Sequence, residues 1–459
     1  MHMSMVSALH TLESKLAGCV LVGDAAAPYA KDDSPTEPVT PMAVVHANSD
    51  NDVKQALTWA LEYRVPVTPR GAGSGRVGGA VPSVGGIVLS TSGMDAIEDI
   101  DEKNLSAVVG PGVVLEQLQT ACEARGLFYP PDPNSRSLCM IGGNIATNAA
   151  GPRAFRYGPT RNYVSGLELC LMGGTEMRVG SRTRKGVTGY DVTGLMVGSE
   201  GTLAVVTRAY LKLLPAPIWR GTLCVYAHSN AAALQVAALA ARAPEQPECV
   251  EFVDEQSLHC MRGAGVKVPT GALAMVLLDV VGRSAYDDLG SKLAEVAGVH
   301  SLVGGISHAE REQIWAARSD LSYATRRLAA GKYSEDVVVP VARLSELLDG
   351  VAALADRHRV QHLTYGHAGD GNMHVNLLWQ DEAQRMRCHE AIGDLMRLTL
   401  SLEGTLSGEH GIGITKSPYL GLEQSAELIA LQRQLKCVFD PHGLMNPGKV
   451  FGNPTHSAC

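Results

Sequence analysis

The sequence predicts an α+β protein built from two or three units, and three observations predict it. The chain has 459 residues, 45% hydrophobic and 19% charged, which is enough for more than one core. Short β-rich runs alternate with amphipathic helical segments through the first half. After Pro215 and Pro217 the composition shifts to Ala/Leu-rich helical stretches mixed with strands such as "ALAMVLLDVV" and "EDVVVPVARL".

"NDVKQALTWALEYR" sets Val53, Leu57, Ala60 and Leu61 at helical spacing, which predicts a helix with one buried face. "VPVTP" and "GGIVLS" read as short buried strands. "VVLEQLQTACEARG" is a second amphipathic helix, stopped by Gly126 because glycine enters the left-handed region without steric cost. "LAVVTRAYLKLLPAP" runs as strand to residue 214, where the prolines punctuate the chain. "QSAELIALQRQLKCVF" is helical, and the turn-rich "DPHGLMNPGKVFGNP" closes the chain. The expected units are therefore residues 1–214, 215–405 and 406–459.

A formal charge of −8 with no basic run excludes nucleic acid as a main partner. The ten cysteines form no C-x-x-C pair, which fits reduced, mostly buried thiols and leaves no frame for a zinc ribbon or iron–sulfur cluster. No run approaches the roughly 20 apolar residues of a membrane span. The chain is thus expected to be cytoplasmic, with peripheral attachment at the inner face of a membrane left open.

The 49 glycines are the conspicuous part of the composition. "PRGAGSGRVGGAVP" contains Gly73-x-Gly75-x-x-Gly78, but a strand follows it, not the helix that a dinucleotide fingerprint requires. Such a run can instead turn successive backbone N–H groups toward a diphosphate. "PPDPNSRSLCMIGGNIATNAAGPRAFRYG" and "TGYDVTGLMVGSEGTLAVVT" supply two more such loops. Three of them imply a long ligand held mostly by backbone.

"YGHAGDGNMHVN" raises a different question. Asp-Gly is a strong signal for a two-residue hairpin turn. With Asp370 and Gly371 as that turn, His367 stands directly opposite His374, on one face of the ladder and within about 5.5 Å between Cβ atoms. Asn376 shares the His374 face, which makes it a candidate substrate contact. Solvated hairpin and half of a metal site are both compatible with the pattern.

These loops, together with "YGHAGDGNMHVN", "SGEHGIGITK" and "FDPHGLMNPGKV", resemble the FAD-linked 2-hydroxyacid dehydrogenases of the vanillyl-alcohol oxidase fold. That group includes D-lactate dehydrogenases, the flavin subunit of glycolate oxidase and D-2-hydroxyglutarate dehydrogenase. The resemblance implies a two-lobed FAD-binding domain, an α+β substrate (cap) domain, and a C-terminal segment that returns to the first. It places Arg70, Gly71, Ala72, Gly73, Ser74, Gly75, Gly78 and Gly79 along the pyrophosphate. Pro131, Asp132, Gly142, Gly143, Asn144 and Asn148 fall on the flavin side. Glu200, Gly201 and Val205 fall by the adenine half or the ribityl chain, and Asn446 reaches the flavin from the C-terminal segment. No histidine stands in the first loop, so FAD is expected to be non-covalent.

By the same resemblance, His367, His374 and Glu409 hold a divalent metal, zinc or manganese, His410 is the general base and Arg318 binds the substrate carboxylate. Two imidazoles and a carboxylate suit a catalytic site with open positions, and a guanidinium fork suits a carboxylate. Glu409 and His410 can serve one site only if the Gly408–Gly413 loop is tightly curled. The expected reaction is metal-assisted hydride transfer from a D-2-hydroxyacid to flavin N5, giving the 2-oxoacid. D-2-hydroxyglutarate enzymes carry a lysine where this chain has Ser334-Glu335-Asp336, and Glu335 is expected to repel a dianion, so D-lactate is favoured. Lys332 and Arg327 are the nearby cations that could substitute. Glycolate and D-2-hydroxyglutarate stay as alternatives within the class. A metal-dependent hydrolase and a non-catalytic flavin-binding subunit are the rivals outside it. Expected partners are the hydroxyacid, a separate acceptor (quinone, cytochrome or electron-transfer flavoprotein) and, for assembly, a second copy in a homodimer.

Overall fold

The computed structural model describes residues 5–319, 321, 325 and 328–452; Arg327 lies outside the described residues. The chain forms two compact units: Met1–Ala149, Pro159–Ala216 and Glu409–Cys459 in one, Ala150–Gly158 and Pro217–Gly408 in the other. The short segment 150–158, which the sequence reading had left in the first unit, therefore belongs to the second.

In the first unit, β1 (Val20–Leu21), β2 (Ala43–His46), β3 (Val67–Arg70) and β4 (Ile87–Ser90) make a sheet of order β1-β2-β4-β3. β2 and β3 both run parallel to β4, and parallel neighbours need a crossover. The helix Asp50–Tyr63 carries the chain from β2 past the position of β4 to β3. Its entry is fixed by Ser49, whose side chain accepts the Asp52 N–H, and Arg64 ends it at φ 55°. Val53, Leu57 and Ala60 are buried as their spacing requires, with Trp59 beside them. The Trp59 indole donates to the Ala8 carbonyl, so this deeply buried ring keeps its one polar atom satisfied.

The second sheet of this unit uses β5 (Ile97–Asp101), β6 (Ser106–Val109), β8 (Val164–Cys170), β9 (Glu176–Gly180) and β10 (Val205–Lys212), all antiparallel in the order β5-β6-β10-β8-β9. β7 (Leu127–Phe128) pairs with β11 (Leu214–Pro215) where the chain leaves the unit. Gly126 has φ +69°, but the helix before β7 ends at Glu123, so Gly126 serves the turn into β7 instead of capping the helix directly.

The second unit is one antiparallel sheet of β12 (Arg220–Ala227), β13 (Cys249–Val253), β14 (Ala274–Val281), β15 (Val299–Gly305), β16 (Gly331–Val338), β17 (Gln361–His367) and β18 (Asn372–Trp379). Its order is β15-β12-β14-β13-β17-β18-β16. The helices Asn230–Ala241, Arg283–Ala294, Leu344–His358 and Glu382–Ser401 pack on one another and on one face. The opposite face meets Glu255–Gly263 and His308–Ser319 through a cluster that includes Tyr226, Val253, Leu258, Met275, Leu363 and Tyr365. Because side chains alternate along each strand, the register puts Glu251, Tyr365, His367, His374, Asn376, Ser334 and Asp336 on this second face.

Eight described cysteines carry free thiols, and seven of those are buried. Cys437, however, is disulfide-bonded, against the expectation of reduced thiols throughout.

Candidate active site

The β17–β18 hairpin corrects the expected turn. His367 pairs with Asn372 and Tyr365 with His374, so Ala368–Gly371 form a four-residue connection and the two histidines stand on a diagonal. Only Gly371 of the pair Asp370-Gly371 has positive φ, at +85°. Contacts beyond the turn explain the change. Gly369 N–H donates to the Val250 carbonyl, and a side chain on Gly371 would lie 2.0 Å from the Val339 carbonyl oxygen. A slip of two residues preserves the face, so both imidazoles still point the same way. Their ring centres are 5.2 Å apart and nearly perpendicular.

Glu409 follows the loop after the helix Glu382–Ser401. Thr405 bonds reciprocally to Val338 at the end of β16, and the Gly408 N–H donates to the Asp336 carboxylate at 2.9 Å. Asp336, fully buried and opposite His374 in the ladder, also accepts the Ser407 hydroxyl. A Cβ at position 408 would lie 2.5 Å from Asn372 Nδ2, so any side chain there requires the Asn372 amide to move. The next residue, Glu409, opens the last piece of the other unit. The loop is curled, with φ +86° at Gly411 and +49° at Gly413. His410 Nε2 consequently comes within 3.9 Å of the Glu409 carboxylate although the two residues are adjacent.

Arg318, near the end of His308–Ser319, is 8% exposed, with its guanidinium 4.6 Å from the centre of the Tyr365 ring. Its Nη2 is 2.7 Å from Glu251 Oε2, while Glu251 Oε1 accepts the Nδ1–H of His367. Burial pushes the Glu251 carboxyl up, but His367 and Arg318 outweigh it and hold the group below the ordinary carboxylate range. Glu251 and Asp336 are the residues that sequence reasoning missed. The available signal was a lone carboxylate in the buried strand "CVEFV".

Asn376 is fully buried, and its amide NH₂ is spent on the carbonyls of His374 and Leu363. Its Oδ1 accepts no protein donor. Glu335 is also corrected: it pairs with Val375 and points to the face opposite His374, so it cannot repel a substrate there. Ser334 and Lys332 share the site face of β16 with Asp336. The Lys332 ammonium is 2.8 Å from the Thr325 hydroxyl.

The first unit carries the glycine loops. Gly71 lies against Met140 and the Gly143 backbone, which brings the first two loops together, and Gly142 packs on Pro111. A Cβ on Gly73 would meet the Arg70 guanidinium, and one on Gly78 the Thr36 hydroxyl. Gly75, Gly79 and Gly143 face open space. The loops thus have a side closed by protein and a side open to a ligand, with half-buried Ala72 and Ser74 between. Arg70 supports the first loop from behind by donating to the Lys31 and Ala80 carbonyls. Asn446 Nδ2 donates to the carbonyls of Gly79 and Glu200, joining the first loop, the third loop and the C-terminal segment. Its buried Oδ1 has no protein donor, which suits a ligand N–H.

Along the second loop, Pro131 is buried and its carbonyl accepts the Gln119 amide, while Asp132 is half-buried. Asn144 is buried, and Asn148, at φ 52°, accepts the Arg161 N–H. Two of the residues expected by the adenine half or the ribityl chain, Glu200 and Val205, have buried side chains. The Glu200 carboxylate accepts the N–H groups of Ile412 and Gly413, both at 2.8 Å, which offsets part of its burial; burial still holds the carboxyl above the ordinary range. Val205 is 2% exposed and belongs to the core beneath the sheet. Gly201, with φ +66°, packs on Pro69 between them. The donors and open glycine faces of this unit fit a dinucleotide such as FAD.

Comparison with known proteins agrees. The family described as "FAD binding domain" matches residues 41–180, and "FAD linked oxidases, C-terminal domain" matches residues 217–450. The chain is 37% identical to the glycolate oxidase subunit GlcD of Bacillus subtilis, covering 92% of each. It is 35% identical to a D-lactate dehydrogenase of Archaeoglobus fulgidus, covering 89% of this chain and 90% of that one. A D-2-hydroxyglutarate dehydrogenase of Xanthomonas citri is 34% identical over 91% of this chain and 90% of its own length. Among solved structures, the 4-ethylphenol oxidase of Gulosibacter chungangensis superposes with a TM-score of 0.79 at 18% identity, over 98% of this chain and 97% of that one. The fold is that of the vanillyl-alcohol oxidase type.

Proposed function

Because the chain belongs to the FAD-linked oxidase family, we propose that it oxidises a short D-2-hydroxyacid, with D-lactate favoured, to the 2-oxoacid. Bound FAD supplies the two-electron acceptor, and a divalent cation, zinc or manganese, supplies Lewis acidity that lowers the pKa of a hydroxyl. The observation that carries this reading is the pair of buried imidazoles, His367 and His374, on one sheet face with ring centres 5.2 Å apart; with the Glu409 carboxylate they make a donor set that suits such a cation with positions left open. Arg318 holds the substrate carboxylate through its planar fork. His410, beside Glu409, takes the hydroxyl proton, the general-base role that imidazoles most often fill. Ser334, the residue paired with Asn376 on the site face, leaves the far end of the substrate small and uncharged, which favours lactate. Electrons leave to a quinone, a cytochrome or an electron-transfer flavoprotein. Among the described residues no helix is long and apolar enough to cross a membrane. We place the enzyme in the cytoplasm or at the inner membrane face.

The decisive experiment is anaerobic mixing of the yellow protein with D- and L-hydroxyacids, before and after treatment with a chelator. Rapid bleaching by D-lactate that slows by about 100-fold without metal supports the proposal. Full-rate bleaching by the metal-stripped protein sinks the role given to the cation, and a flavin that no hydroxyacid bleaches sinks the activity.

One observation favours D-2-hydroxyglutarate as a second reading. Lys332 shares the site face with Asn376 and Ser334, and Glu335 does not oppose a second carboxylate there. Lys332→Met separates the two. A rise in KM for D-2-hydroxyglutarate with no change for D-lactate favours the dianion reading.

A further inference from the structure

Glu251 is a charged residue in a strand otherwise built from Cys249, Val250, Phe252 and Val253, and it is fully buried. A carboxylate in that setting costs several kcal/mol unless close partners compensate it. Its two partners come from separate elements. One is His367 on β17, and the other is Arg318 on the helix His308–Ser319. A carboxylate can only accept, so the His367 proton sits on Nδ1 and the Nε2 lone pair faces away from Glu251. The same helix is tied to the sheet one turn earlier, where the Trp315 indole donates to the buried Asp279 carboxylate at 3.0 Å. Trp315 and Arg318 thus present one helix face to two acidic residues on one sheet face, and only Glu251 also touches a candidate metal ligand.

We infer that Glu251 is a positioning residue that couples the two halves of the substrate site. It sets the tautomer and aim of His367 toward the cation, and it holds the Arg318 fork for the substrate carboxylate. This rests on the metal-assisted reading above. Outer partners of this kind are worth about 10–100-fold in metal affinity.

The test is Glu251→Gln, which keeps the shape and removes the charge, studied in the flavin-loaded full chain. Zinc affinity is read by competition with a chelator, and KM for D-lactate is read separately from kcat. Zinc binding is expected to weaken by about 10-fold or more, with a raised KM and unchanged flavin content. A double-mutant cycle supplies the specific signature. If Glu251 acts on KM through Arg318, E251Q adds no further rise in KM to Arg318→Gln, yet still weakens zinc binding in that background. Wild-type zinc affinity in E251Q, or a full additional KM effect beside R318Q, overturns the inference. If E251Q does not accumulate as a flavoprotein, Glu251→Asp replaces it. The shorter carboxylate cannot reach both partners and is expected to weaken zinc binding, and unchanged affinity is again contrary. Wild-type protein that binds no zinc or manganese defeats the underlying metal reading instead, whatever E251Q does.

Discussion

The Arg318 guanidinium lies over the Tyr365 ring, 4.6 Å from its centre, while the edge of the same ring meets His374. Such a contact contributes about 1–2 kcal/mol when desolvated. Tyr365→Leu is therefore expected to raise KM for the hydroxyacid by about 5- to 20-fold, with Tyr365→Phe close to wild type. Steady-state kinetics on the two variants checks this, and equal effects in both contradict it.

The loop that carries Glu409 depends on the absence of a side chain at Gly408. Gly408→Ala places a methyl 2.5 Å from the Asn372 amide; because that amide is held by the Val337 carbonyl, we expect the loop to shift and take the carboxylate with it. We expect metal content and kcat/KM to fall by at least about 10-fold with flavin retained, since placement errors of this size are costly in catalysis. Metal analysis alongside the flavin spectrum tests it. An alanine variant with full metal content contradicts the close packing described.

Asp254 caps the helix Glu255–Gly263 by accepting the Ser257 N–H, and it also accepts the Thr364 N–H. Burial raises its carboxyl to about 6 in the folded protein. A carboxyl raised on folding binds more protons in the folded state, so its contribution is full below pH 4 and is lost as pH rises through 6, about 3 kcal/mol in all. Asp254→Asn does not titrate. The Tm of the variant relative to wild type should therefore climb between about pH 4 and 7 and then stay level. A difference that is flat, or that falls, would rule this out.

Glu200 spends both carboxylate oxygens on the Ile412 and Gly413 N–H groups. Glu200→Gln keeps one acceptor and turns an NH₂ toward the other donor, which costs about 1–3 kcal/mol. A lower Tm and faster loss of flavin on dialysis are expected, measurable by absorbance of the retained protein. Unchanged flavin retention contradicts a role for this clasp in shaping the cofactor loops.

Much of this arrangement was legible in the sequence because it follows local rules. Helical spacing marked the Asp50–Tyr63 crossover, and paired prolines marked the chain's exit near residue 216. The common face of His367, His374 and Asn376 was also legible, since it depends only on strand parity. The hairpin register was not, because the carbonyls of Val250 and Val339, supplied by distant segments, overrode the Asp-Gly preference. Glu335 was misread for a related reason. Its side depends on which residue of β18 it pairs with, and only assembly of the sheet decides that. Glu251 and Asp336 act through partners 67 to 116 positions away. No periodicity within "CVEFV" or "SEDVVV" names those partners.

The segment Ala150–Gly158 has a practical consequence for anyone dividing the protein. Phe155 occupies the space beside Gly369, and the Tyr157 hydroxyl donates to Glu248, so a fragment that starts at Pro217 loses a wall and a donor of its own sheet. The two units are interlaced along the chain, and moving the second between homologues as a cassette requires two grafted pieces, one of them nine residues long.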